Sequence, residues 1–243
     1  MMSDISTTSV SENYERVLSR IDLVARSSGR DPEQVRLVVV TKGQSIDKVR
    51  QVVSAGARLL GENYVQEALP KINELKVEFD LEWHMIGHIQ SRKAKLVSNN
   101  FDWIHTVDSL RLATRLDRFA CEVGKRIPAL LEFNMSGEES KYGWKAWNEL
   151  EWERLADEIA PIIELSQLDV QGVMTMAPYF TEPERSRPHF IRLRELSEFL
   201  ASRFPESSWK ELSMGMSTDF EIAIQEGATM VRIGTAILGE RSN

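Results

Sequence analysis

Eight short apolar runs, each but the last followed by residues at helical spacing, constrain this chain more than any other feature. The first, RLVVVT at 36–41, is the β-branched kind of run that a parallel sheet buries on both faces. Ile46, Val49, Val52 and Val53 follow it at helical spacing. The alternation continues with ARLLG and a helix from Val65 to Leu75, LEWHMIG and a helix from about Ser91, and DWIHTV with a helix carrying Leu110, Ala113, Leu116 and Phe119. It goes on through PALLEFNM and a helix through Trp147 to Ile163, then VQGVMTM and a helix with Phe190, Leu193, Leu196 and Leu200. WKELSM, the helix TDFEIAI and the strand TMVRIG complete the series. Eight such units in 243 residues predict a single closed α/β barrel, the (β/α)8 or TIM barrel, because closure removes both sheet edges. An open doubly wound sheet is the alternative, but no G-x-G-x-x-G follows the first strand. Upstream, Tyr14, Val17, Leu18, Ile21 and Val24 predict an extra N-terminal helix that stops near Gly29 and Asp31-Pro32. The expected division is a flexible tail at 1–10 and one barrel domain at 11–243, with no linker and no internal repeat to split it.

Charge narrows the partners. A formal net charge of −7 argues against a broad basic face, so nucleic acid is not an expected principal partner, while a local anion pocket is compatible with it. The single Cys121 allows no internal disulfide and sits in LATRLDRFACEV, an amphipathic helix pattern. MMSDISTTSV lacks the basic and apolar regions of a secretory signal, and no apolar run reaches the ~20 residues that span a bilayer. A cytoplasmic protein is the expectation.

In a closed parallel barrel, functional groups gather at the C-terminal strand ends, and the unusual residues of this chain share that address. Lys42 ends strand one, and Glu62 and Asn63 follow strand two. His84, His88 and Gln90 flank the end of strand three; His105 and Asp108 follow strand four. Asn134 and Ser136 end strand five, Met174 to Met176 strand six, Ser213 to Ser217 strand seven, and Arg232 to Thr235 strand eight. Lys42 is the sharpest, because an amine at the barrel mouth, desolvated and near Arg232, is poised to form a Schiff base. By position alone it is equally an ordinary solvated lysine at a strand end. SMGMSTDFE and VRIGTAILG expose backbone N–H groups after strands seven and eight, with Ser217 poised to cap a helix N-terminus. That suits a phosphate, although Gly215 and Gly234 also serve as plain turn residues. An amine and a phosphate seat together suggest a phosphorylated aldehyde or ketone, either pyridoxal 5′-phosphate (PLP) or a sugar phosphate. Arg232 can only donate, so facing a pyridine nitrogen it would keep that nitrogen unprotonated; an ion pair inside the barrel is its other reading.

At these residues the chain resembles the YggS/PROSC family of PLP homeostasis proteins, whose fold is similar to the N-terminal domain of alanine racemase. The resemblance spans nearly the whole chain. It rests on VVVTK at 38–42, GENYVQEA at 61–68, WHMIGHIQSRK at 83–93, HTVDSL at 105–110 and NMSGEESKYG at 134–143, then GVMTMAP at 172–178, LSMGMSTDFEIAIQEGAT at 212–229 and VRIGTAILGER at 231–241. It implies PLP held as a Schiff base on Lys42 and Asn63 beside the ring. It further implies Ser217, Gly234 and Thr235 on the phosphate, and Arg232 toward the pyridine nitrogen. His84, Met174 and Ser213 complete the expected cofactor-binding set. The implied role is PLP and vitamin B6 homeostasis with no established reaction, PLP-dependent apo-enzymes being candidate partners. One departure stands out: where the family pattern reads like IGPLQSNK, this chain has His88, Ile89 and Arg92.

Two other classes remain. A racemase-type PLP enzyme would need a second base, which racemases of this barrel type take from a C-terminal β-domain. This chain ends ten residues after Val231-Arg232-Ile233, which sets the expectation of a non-catalytic monomer. A regulator whose partner surface answers to PLP is the third class, without a motif of its own. The four histidines His84, His88, His105 and His189 fit no metal motif, so no metal is expected. Met174, Met176, Met214 and Met216 are expected to fill the barrel mouth, and Trp144, Trp147 and Trp152 to pack one helix face.

Overall fold

The structure of the protein, a computed structural model, describes residues 9–240. Its frame is the predicted barrel. In chain order the strands are β1 (Arg36–Val40), β2 (Leu59–Glu62), β3 (Glu82–Met85), β4 (Trp103–Val107), β5 (Ile127–Asn134), the short β6 (Trp144–Lys145), β7 (Leu168–Met174), β8 (Glu211–Ser213) and β9 (Met230–Ile233). The order β4-β3-β2-β1-β9-β8-β7-β5 closes through β4–β5, with every pairing parallel. The helices are α1 (Val10–Ser27), α2 (Ile46–Ser54), α3 (Val65–Leu75), α4 (Ala94–Asn100), α5 (Leu110–Glu122), α6 (Trp152–Ile163), α7 (Arg187–Arg203), α8 (Phe220–Gln225) and α9 (Thr235–Leu238).

Strand alternation creates two cores. Outward residues such as Trp83, Met85, Ile104, Leu131, Phe133, Val231 and Ile233 join the helices in one large apolar cluster. Their neighbours on the other strand face, Leu130, Met174 and Met230, form a separate cluster with Trp103 and Met176 against it. Met174 is therefore fully buried packing, while Met214 belongs to the large cluster beneath the helices. Polar residues share that inner face: His84, His105, Glu132, Ser213 and Arg232 are all buried.

Three local features differ from expectation. Helix α1 begins at Val10, ahead of the apolar spacing, because Ser9 and Glu12 make a capping box. Of the expected tail at 1–10, residues 1–8 lie outside the described residues, and Ser9 and Val10 form the capped start of α1. The helix foreseen through Trp147 starts only at Trp152, because Gly143, at φ +95°, brings the chain against β5 and allows β6 to pair with it. The three tryptophans consequently part company: Trp144 packs on Phe133, Trp152 on Phe199, and Trp147 stays partly exposed. Among the described residues, no helix is long and apolar enough to cross a membrane.

Candidate functional site

Lys42 sits just beyond β1, half-buried, on a backbone held from both sides. Before it, the Thr41 carbonyl accepts from Lys71 Nζ at 2.8 Å and the Thr41 hydroxyl donates to Glu62 Oε1 at 2.7 Å. After it, the Gly43 N–H donates to Glu67 Oε1, with Gly43 in the left-handed region at φ +67°. Lys71 joins the two sides, 2.8 Å from Glu62 and 3.0 Å from Glu67. Burial pushes the Glu62 carboxyl up from its ordinary pKa, with Lys71 opposing the shift.

Strands β1 and β9 are neighbours in register Val39↔Ile233, which brings Gly234 beside the end of β1. A Cβ on Gly234 would lie 3.0 Å from the Val40 carbonyl oxygen, so the close approach of the two strand ends depends on glycine. On β8's side, Gly215 adopts φ +92°, and a Cβ there would stand 2.6 Å from Ala223 Cβ. The helix N-terminus that Ser217 meets is that of α9: its hydroxyl accepts from the Ala236 N–H, 3.4 Å away in the first turn. Asp219 takes the α8 position and accepts from Met216 N at 2.7 Å. The β8 and β9 loops are thus tied to each other, and α2 is tied to them through Lys48 Nζ on the Leu238 carbonyl, at 3.0 Å.

Arg232 occupies the barrel interior beneath this mouth. Its NH1 donates to Ser213 Oγ at 2.6 Å and its NH2 to the Thr175 carbonyl at 3.0 Å. Burial pushes its pKa down to about 10, which leaves it cationic at neutral pH. Glu132, also buried, is pushed up to about 7, chiefly by burial and further by Asp108, against the pull of Arg232 and Lys141. Asn63 follows β2, and its side-chain oxygen is buried with no hydrogen-bond partner among the described residues.

The expected residues therefore divide. Lys42, Asn63, Ser217, Gly234 and Thr235 lie at the C-terminal strand ends, and Arg232 lies just below them. His84 does not open into the mouth: its Nε2 meets Glu82 at 2.7 Å, its Nδ1 meets His105 at 2.8 Å, and its ring stacks on Trp103. Ser213 is likewise engaged, between Arg232 and His105. Met174 contributes apolar packing beside Arg232's carbonyl partner Thr175. His88, from the departing motif, pairs with Asp108 at 2.9 Å and stacks on Tyr142 at 3.7 Å. The residues present fit a phosphorylated pyridine aldehyde: an amine on a braced loop, N–H groups at two glycine-dependent strand ends, an unsatisfied buried acceptor on Asn63, and a fixed donor in Arg232.

Residues 13–242 match the family model described as alanine racemase, N-terminal domain. The chain belongs to the alanine racemase N-terminal domain family. Within that family it is 38% identical to the pyridoxal phosphate homeostasis protein of Vibrio alginolyticus, over 96% of this chain and 98% of that one. The structure of PipY from Synechococcus elongatus with PLP bound superposes with a TM-score of 0.78 at 35% identity, covering 95% of this chain and all of that one. Alanine racemase of Clostridium difficile shares the fold at a TM-score of 0.70 and 16% identity, over 93% of this chain and 59% of that one.

Some members of the site escape motif reading. Lys71 carried a usable signal, since it falls among Ala68, Ile72 and Leu75 on the buried face of α3, where a cation requires an anionic partner. Glu132 carried another, as the one charge inside the apolar run PALLEF. Glu82 gave none: it meets His84 two residues along the same strand, and what His84 meets in turn depends on how the strands are arranged in the barrel.

Proposed function

We propose that this protein holds pyridoxal 5′-phosphate on Lys42 and serves intracellular PLP homeostasis without a reaction of its own. The observation that carries this reading is the braced Lys42 loop at the end of β1, adjoining the tied β8 and β9 loops in the same barrel mouth. The PLP-bound PipY structure and the names of the homeostasis relatives support it.

In this reading the Lys42 amine takes the aldehyde carbon, and Asn63 lies beside the ring. The Ser217 hydroxyl and the backbone N–H groups at Gly234 and Thr235 take the phosphate. Bound PLP supplies an electrophilic carbon conjugated to a pyridine ring that can accept electron density. Arg232 tempers that capacity: as a permanent donor it presents an N–H to the ring nitrogen and leaves it without a proton of its own. His84 and Ser213 act behind Arg232, and Met174 packs the floor. Such a site favours holding the cofactor over stabilising a carbanion. Residues 11–243 serve as one cofactor-binding unit, in a cytoplasmic monomer whose candidate partners are PLP-dependent apo-enzymes.

The test is visible absorbance of the purified protein before and after borohydride reduction, with the modified peptide located by mass spectrometry in wild type and Lys42→Ala. A pyridoxyl group confined to Lys42 supports the assignment. No chromophore after added PLP overturns it. Racemisation of an amino acid by holo-protein, lost in Lys42→Ala, would overturn the non-catalytic part alone.

A further inference from the structure

Five buried or half-buried polar side chains run in one line across the barrel interior. Glu82 Oε1 stands 2.7 Å from His84 Nε2, and His84 Nδ1 is 2.8 Å from His105 Nε2. His105 Nδ1 is 2.9 Å from Ser213 Oγ, which accepts from Arg232 NH1 at 2.6 Å. The line leaves β3 through β4 and crosses to β8 and β9, strands that are not neighbours of β4 in the barrel wall. Glu82 is the first residue of β3, so the line begins at the end opposite the mouth.

Donor counting allows the line only one direction. Glu82 is held below the usual carboxylate range, chiefly by its hydrogen bond with His84, so it is ionised at neutral pH and can only accept. His84 Nε2 must therefore carry a proton. Burial holds both imidazoles neutral, pushing His84 down and His105 well down, and a neutral ring carries one N–H. His84 Nδ1 is then a bare acceptor, His105 Nε2 must donate to it, and His105 Nδ1 is bare in turn. The Ser213 proton must point at that nitrogen, which leaves the Ser213 lone pairs for Arg232. With NH1 committed to Ser213 and NH2 to the Thr175 carbonyl, the guanidinium plane is fixed from below.

We propose that Glu82, at the far end of the barrel, is a positioning residue for Arg232, acting through His84, His105 and Ser213 by setting the single direction of this hydrogen-bond line. The inference deepens the cofactor reading and rests on it for the role of Arg232; the direction of the line does not depend on that reading. A carboxylate is the one group at position 82 that forbids the reverse direction. A carboxamide there offers a donor as well as an acceptor, and would let both rings carry the proton on Nδ1.

The test uses the full chain in two measurements. Long-range 1H–15N NMR of the histidine rings in ligand-free protein should show His84 and His105 as neutral Nε2–H tautomers. Glu82→Gln, at a side chain 39% exposed and so tolerant of exchange, should introduce the Nδ1–H form in both rings. The same variant should weaken the uptake of added PLP by roughly three- to tenfold, the worth of one misaligned hydrogen bond, though position 82 lies across the barrel from the mouth. An Nδ1–H tautomer in either wild-type ring overturns the direction. Unchanged tautomers in Glu82→Gln overturn the control by Glu82, and shifted tautomers with unchanged PLP affinity overturn the link to Arg232. Wild-type protein that takes up no PLP would defeat the cofactor reading while leaving the tautomer result to stand.

Discussion

Replacing Lys71 with methionine isolates the brace behind Lys42. The side chains of Lys71 and Glu62 are 7% and 0% exposed, so the variant leaves a carboxylate in the interior without its cation. Breaking a buried pair from one side typically costs about 3–5 kcal/mol. In a protein of this size each kcal/mol moves Tm by roughly 2–4 °C, so a fall of roughly 10 °C is expected. Glu62 already has a raised pKa, which means that the folded state holds its proton at pH values where the unfolded chain has lost it. Such a group loses stability as pH rises, and removing Lys71 accentuates this, so the deficit should be larger at pH 8 than at pH 5. Adding Glu62→Gln to Lys71→Met removes the stranded charge, keeps an acceptor for the Thr41 hydroxyl, and should recover most of the loss. Differential scanning calorimetry of wild type, single and double variants at both pH values measures all of this. A single variant within 1 kcal/mol of wild type, or a double variant no more stable than the single, would refute the reasoning.

Glu132 has a pKa of about 7 against an ordinary 4.5, from burial first and then Asp108, so its protonated form stabilises the fold at low pH and that contribution is lost as pH rises toward 7. At 1.36 kcal/mol per pH unit the loss is about 3 kcal/mol, and urea unfolding of Glu132→Gln should show that component of the pH dependence gone. Gly215→Ala forces a Cβ to within 2.6 Å of Ala223 Cβ at a positive φ; a cost of roughly 1–3 kcal/mol and weakened PLP uptake are expected, and an unchanged Tm by thermal denaturation would contradict the packing account. Ser9→Ala removes the hydroxyl half of the α1 capping box and should cost ~1 kcal/mol, readable in chemical denaturation, with no change in PLP affinity.

The barrel was legible because its evidence is repeated along the chain: a parallel strand buried on both faces is predominantly apolar, and a covering helix is apolar at every third or fourth position. The addresses of Lys42, Asn63, Ser217, Gly234 and Thr235 followed from that frame, since a parallel barrel sends every strand end to the same side. Which way each inner side chain turns did not follow. His84 and Ser213 lie in the strands of matched motifs, yet their partners come from β3, β4 and β9, across the lumen and along the wall. The His105–Ser213 contact that links them crosses the lumen from β4 to β8 and exists only because the barrel closes. The region from 135 to 152 was misread for a different reason: Trp144, Trp147 and Trp152 mimic a helical stripe, but the turn at Gly143, a backbone property of one residue, sends Trp144 into β6 beside β5, and the helix begins only at Trp152.

Two buried polar systems, one behind Lys42 and one behind Arg232, make the same physical choice. Ion pairs and imidazoles withdrawn from water gain little net stability, and apolar residues of equal volume often do as well or better. Packing alone would therefore favour leucine and methionine at these places, as it does at Leu130, Met174 and Met230 on the same inner face. What apolar side chains lack is direction. Lys71 ties the Thr41 carbonyl to two carboxylates, and the Ser213 hydroxyl has one proton and one place to put it. Each system ends on a group whose use depends on where it points, an amine-bearing loop in one case and a guanidinium in the other. The structure thus gives up interior stability at the two positions where fixed orientation matters, and packs hydrocarbon beside them at Leu130, Met174 and Met230.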